Sequence, residues 1–161
     1  MAGLGLLALR IVLAIVFVAH GANILFGAWG GPGVGPGGLA VTAEQYKTFG
    51  LHQEFLLAVL AGVIQFVGGL LLAPGWMTRV ASIALLIYIG VGIWVEHLQW
   101  GFFLNWIHNP QQGLGVEYSV TLAGALICLA CVGAGDWSVD GRSVRTRATR
   151  AAGRARLRGK V

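Results

Sequence analysis

The chain has 161 residues, 57% of them hydrophobic and only 11% charged. That balance excludes an ordinary soluble domain, in which about a quarter of residues carry charge. The formal charge of +5 is a misleading average, because eight of the eleven basic residues (Arg142, Arg145, Arg147, Arg150, Arg154, Arg156, Arg158 and Lys160) crowd the last twenty positions.

The first apolar run, Leu4 to Phe26, is long enough to cross a hydrocarbon core, which takes about 20 residues of helix. A cleaved signal peptide is the competing reading, since Ala19-His20-Gly21 loosely resembles a small-x-small site. Arg10 would then interrupt the apolar h-region, and Ile24, Leu25 and Phe26 continue the run beyond the site, so the span is read as retained. Arg10 lies about 9 Å into it at 1.5 Å per residue. Snorkelling, or pairing with Asp136 or Asp140 beyond the last span, would satisfy the guanidinium. His20 and Asn23 stand near the far end with Gly21 between them.

Next comes "GAWGGPGVGPGGLAVTAEQYKTFGLHQ", whose Gly and Pro density forbids regular structure until about Thr42. Thr42 with Gln45 three residues later reads as a capping box opening a short amphipathic helix through Phe49. His52 and Glu54 flank the second span and belong at headgroup depth.

The second span runs from Phe55 to Ala73, with Ala58, Ala61, Gly62, Gln65, Gly68 and Gly69 on one face. Helices approach closely in lipid through such residues, because apolar side chains gain nothing by leaving other apolar chains. Gln65, in mid-span, reads as an interhelical hydrogen-bonding group. A tight turn, "PGWMTR", leads to the third span, Val80 to Val95, which ends in Glu96 and His97. The loop "HLQWGFFLNWIHNPQQGLG" has the aromatic content of a lid folded back on the membrane surface. The fourth span, Val116 to Ala134, presents Glu117, Thr121, Gly124, Cys128 and Cys131 in a narrow stripe at 100° per residue, read as the inward face.

Four spans and a basic tail set an orientation. By the positive-inside rule the C-terminus is cytoplasmic, and with it the N-terminus. Arg79 marks the second loop as inside, the third loop has no Lys or Arg, and the first has only Lys47. The expected fold is all-α: an integral membrane four-helix antiparallel bundle over residues 1–140, with a short amphipathic helix in the first outer loop and a basic, disordered cytoplasmic tail over 141–161. The tail lacks aromatic interleaving and any nucleic-acid-binding signature, so it reads as topogenic and lipid-facing, and no nucleic acid is implied.

In this orientation His20, Asn23, Glu96, His97 and Glu117 share the outer level. An ionisable group within a span costs about 2.5–3.5 kcal/mol on insertion scales and faces a partner or a wet cavity. These five are therefore the candidates for an outer polar pocket roofed by the third loop. No metal site is expected. The Glu-x-x-His spacing of carboxylate-bridged bundles is absent, and neighbours Glu96 and His97 should point about 100° apart. Cys128-Leu-Ala-Cys131 sits near the C-terminal end of its helix, where the dipole opposes a thiolate. It reads as interior filler, not a redox couple.

Several stretches, in this order, resemble the DoxX family of small four-helix bacterial membrane proteins: "LRIVLAIVFVAHGANILFGAWGGPG", "FLLAVLAGVIQFVGGLLLAPGWMTR", "HLQWGFF", "GVEYS" and "GAGDWSVD". The likeness covers roughly Leu6 to Asp140. Relatives called DoxD and DoxA form a thiosulfate:quinone oxidoreductase, so the resemblance implies quinone-linked sulfur or thiol redox chemistry in a bacterial cytoplasmic membrane. Quinone is the cofactor it implies, and a membrane or periplasmic redox protein the partner, beside the lipid bilayer. It also leaves room for a homo-oligomer. Arg10, His20, Glu117 and Asp140 fall on family motif positions, to which no catalytic role transfers. Two departures weigh against independent catalysis: no DoxA-type soluble domain is appended, and Gln65 stands where the family pattern often has Glu. The function expected is an accessory or quinone-interacting subunit of a membrane redox system. The alternatives are a non-enzymatic scaffold or assembly partner and a small-solute transporter.

Overall fold

A computed structural model describes residues 2–30, 36–106, 109 and 112–143. The protein is all-helical there, with α1 (Ala2–Phe26), α2 (Leu39–Thr48), α3 (Glu54–Leu72), α4 (Thr78–Gly92) and α5 (Glu117–Val132). Helix α4 continues through a wide π turn (Ile93–His97) and a 3-10 turn (Leu98–Trp100), so Thr78–Trp100 forms one apolar run of 23 residues. Together with Gly3–Phe26 and Glu54–Leu72, it gives three helices long and apolar enough to cross a membrane.

Helix α5 is shorter than the fourth span read from the sequence. Its 16 residues reach about 24 Å at 1.5 Å each, against a core of about 30 Å. Gly133, at a positive φ of 86°, ends it, and Ala134 is buried just beyond.

The most extensive contact joins α1 and α3; α4 packs on both α3 and α5, while α5 meets α1 only lightly. The α1–α3 contact explains the small residues. Ala58, Ala61, Gly62, Gln65, Gly68 and Gly69 are all buried, which is the face their spacing predicts. From the other side, a Cβ on Gly21 would collide with the backbone nitrogen of Phe66 and stand 2.7 Å from its Cα. Two helix backbones thus touch where no side chain fits, and Gly21 is fixed by that approach. A cluster of Leu13, Ala14, Phe17, Leu72, Ala81, Leu85, Ile89, Leu122, Leu126 and Leu129 fills the centre. Around it, Ile15, Leu60, Val67, Ile87 and Ile127 point outward, as residues bathed in acyl chains do. Exposed tryptophans mark both ends, Trp29, Trp94 and Trp106 at one and Trp76 and Trp137 at the other, in keeping with an aromatic belt.

Two sequence expectations need correction. Helix α2 starts three residues before Thr42, at Leu39, and the Thr42 hydroxyl bonds back to the Gly38 carbonyl at 3.2 Å instead of capping. A hydroxyl inside the first turn finds that carbonyl more easily than a free N–H. The inward face of α5 is also different. Ser119, Leu122, Leu126 and Leu129 are buried, whereas Thr121, Gly124, Cys128 and Cys131 are exposed. In lipid both faces of a helix are apolar, so bulky leucines can fill the interior while small residues face out.

At the end of the fold opposite α2, Arg10 is completely buried. Its Nη2 donates to the Trp137 carbonyl at 2.6 Å and its Nη1 reaches toward that of Ala73 at 3.5 Å. Asp140 acts on it electrostatically, but the carboxylate itself accepts from the backbone N–H groups of Met77 (3.0 Å) and Thr78 (2.9 Å). These are orphan donors at the start of α4, where a negative charge is favourable. The guanidinium therefore pairs with carbonyls, and Asp140 serves as a cap supplied from 62 residues away. Gly75 closes this knot: its φ is +71°, and a Cβ there would strike the Arg10 Nη1. Asp136 lies in the same segment beyond α5. A short helical segment follows over 139–143, past the boundary expected near Gly141, and the rest of the basic tail lies outside the described residues.

Candidate functional site

At the α2 end, the helices part around a half-open chamber of about 330 Å³. Helix α1 contributes Val16, Phe17 and His20; α3 contributes Gln65; α4 contributes Tyr88, Ile89 and Gly92; the π turn contributes Glu96 and His97; α5 contributes Tyr118, Ser119 and Leu122. Polar groups thus converge on a wall that is otherwise Phe, Ile, Leu and Val. His20 of α1 and Tyr118 of α5, on helices that pack only lightly on each other, are exposed where they border the chamber.

Each side chain has a local reason for its place. Gln65 is buried among the small residues of α3, and its amide bonds the Ala61 carbonyl only at 3.4 Å, near the limit for such a bond. Glu96 and His97, expected to diverge, both line the chamber from the wide turn at Ile93–His97. His97 Nδ1 lies 3.0 Å from the Leu114 carbonyl, and Glu96 Oε1 accepts from Gln45 of α2 at 3.4 Å. Tyr46 of α2 lies near Tyr88 of α4, and burial raises the Tyr46 phenol above its ordinary pKa, with the Tyr88 hydroxyl opposing the effect and the Glu96 carboxylate adding to it.

The five residues expected to form a pocket divide. His20, Glu96 and His97 meet at the chamber; Asn23 and Glu117 do not. The Asn23 amide donates to the Ala28 carbonyl at 2.8 Å, and its side chain packs against Gly37, which shapes the turn after α1. Glu117 Oε2 accepts from the Leu104 N–H at 3.2 Å, while its own N–H donates to the Phe102 carbonyl at 2.9 Å. Glu117 thus anchors the α4–α5 loop, with Val116 bonded to Gly101 alongside. Sequence reasoning missed Tyr88, Tyr118 and Ser119. Tyr88 alone carried a signal, as a phenol in the middle of an apolar span. Among the described residues, no three His, Cys, Asp or Glu side chains gather as a metal site.

Apolar helices of membrane-crossing length, aromatic ends and one polar chamber define an integral membrane protein with a small-molecule-sized cavity at one end. The chain belongs to the DoxX family, which residues 5–98 match. The matched region takes in α1 to α4, and with them His20, Gln65, Tyr88, Glu96 and His97. No curated protein and no solved structure matches the chain.

Proposed function

We propose that this protein is a quinone-interacting subunit of a redox system in the bacterial cytoplasmic membrane. In this reading the helices α1, α3, α4 and α5 run alternately across the bilayer, both termini are cytoplasmic, and the chamber opens toward the outer leaflet. One observation carries it: hydrogen-bonding groups of His20, Gln65, Tyr88, Glu96 and His97 surround an apolar-walled space of about 330 Å³, the lower end of the range for small-molecule sites. A quinone ring has that mixture, two carbonyl acceptors on a flat apolar body. In this reading a molecule dissolved in lipid enters between α1 and α5, which pack only lightly and whose His20 and Tyr118 are exposed at the chamber. Reduction of the ring takes two electrons and two protons. A thiol or reduced sulfur compound, delivered by a partner protein, would supply the electrons, and His20 and His97 could pass protons to the carbonyls.

The test is mass spectrometry of the protein extracted with its native lipids, together with quinol turnover in membranes. Retained quinone that is lost in His20→Ala supports the reading; a wild-type preparation without quinone and without effect on turnover removes it. Cysteine introduced by Arg154→Cys should react with impermeant reagent only from the cytoplasmic face. A second reading, that of an assembly partner, is favoured by the outward Phe102, Phe103 and Trp106 of the loop that Glu117 pins. It requires a stable partner in gentle detergent.

A further inference from the structure

The polar chamber has an apolar neighbour. A second cavity, of about 340 Å³, lies between α3 and α4 with α2 as its roof. Leu57, Leu60 and Ile64 form one wall, Ile87 and Val91 the other. Leu60, Ile87 and Val91 are also exposed, so the groove is open to acyl chains along its length. Tyr88, Gly92 and Glu96 border both cavities. They are spaced four apart along α4 and its π turn, and so form one continuous sill.

Gly92 is the informative member. It sits in a helix with ordinary angles, φ −59° and ψ −42°, so its backbone does not require glycine. Nothing lies within 4 Å of where its Cβ would stand, so no close helix approach requires it either. Glycine inside a helix is unfavourable relative to alanine. Its missing side chain leaves open space where the two cavities meet.

We infer that the two cavities are one bipartite site for an elongated amphiphile. Its hydrogen-bonding head occupies the chamber of His20, Gln65 and His97, and its single hydrocarbon chain passes Gly92 into the α3–α4 groove. Tyr46 and Phe49 of α2 border the groove and the Gln45–Glu96 hydrogen bond ties α2 to the π turn, which gives the chain a roof as well as walls. The head end rests on the reading of the chamber given above; the chain end does not depend on which head is bound.

The test compares a short-chain benzoquinone with its long-chain counterpart on the full-length protein in nanodiscs, with binding read by quenching of tryptophan fluorescence. The long-chain probe binds more tightly, and Leu60→Trp, which fills the groove from the α3 wall and does not border the chamber, weakens it by about tenfold while the short-chain probe changes by less than about twofold. Gly92→Leu, at the junction of the two cavities, also weakens the long-chain probe by about tenfold. Gly90→Leu is the control, because Gly90 also faces open space but borders neither cavity; it leaves both probes unchanged. Equal affinity for the two probes, or equal weakening of both by Leu60→Trp, overturns the inference and leaves the chamber as a headgroup site with an ordinary lipid chain in the groove. Failure of both probes to bind the wild-type protein overturns the chamber reading as well.

Discussion

Gly21 provides the sharpest test of how the helices associate. An alanine there places a methyl group 2.7 Å from the Cα of Phe66 and 2.8 Å from its Cβ, and closer still to its backbone nitrogen. Ordinary carbon contacts begin near 3.5 Å, so α1 and α3 must move apart by at least about 0.8 Å. The neighbouring contacts of Gly62 with Leu25 and of Gly69 with Val18 loosen together with it. Overpacking of this kind costs about 1–3 kcal/mol, opposed by a gain of about 1 kcal/mol in helix propensity. Gly124 supplies the reference, because it lies within α5 with nothing in reach of its Cβ. Gly124→Ala isolates the propensity gain, so subtracting it leaves a packing cost of about 1–3 kcal/mol for Gly21→Ala. Reversible unfolding in mixed micelles measures both variants. Equal stability of the two would refute the claim that backbone contact at Gly21 fastens α1 to α3.

Further outcomes follow from the opposite end and from the groove roof. Arg10→Met, which leaves the Trp137 carbonyl unpaired, should destabilise by about 2–3 kcal/mol in the same unfolding assay. Asp140→Ala should cost about 1–2 kcal/mol by uncapping Met77 and Thr78, and the double variant should lose less than the sum, since the Asp140 charge also acts on Arg10. For Tyr46 the folded pKa lies above the unfolded value of about 10, so its neutral form supports the docked α2 and that support is lost as pH rises beyond about 10. Thermal melting across alkaline pH should show this slope in the wild type and a flatter one in Tyr46→Phe. Replacing Cys128 and Cys131 together by alanine should change stability by less than about 0.5 kcal/mol, because both face outward.

Membership of the DoxX family, the membrane character and the buried face of α3 could be read from the sequence, because glycines at helical spacing have few other uses in an apolar helix. The α5 face could not. Thr121, Gly124, Cys128 and Cys131 form an equally regular stripe, and only the packing of Leu122, Leu126 and Leu129 against α4 and α1 shows which side turns inward. The chamber was half legible. His20, Glu96 and His97 stood out as ionisable groups at the edges of apolar runs. Asn23 and Glu117 looked the same in sequence, yet their hydrogen bonds to nearby loop backbone turn them aside. That the neighbours Glu96 and His97 both border the chamber runs against the divergence of about 100° expected of adjacent helical residues, and only the structure shows it. The apolar groove escaped altogether, since Leu60, Ile87 and Val91 resemble any residues facing lipid.

The Arg10 knot also bears on how the protein is made. The carbonyl that receives its guanidinium belongs to a residue 127 positions later in the chain, so during synthesis the first helix enters the bilayer with a cation that nothing yet satisfies. The 2.6 Å bond from Arg10 to Trp137 cannot form until the segment beyond α5 has been made, so the locking of α1 to the far end of the chain belongs to the last stage of assembly.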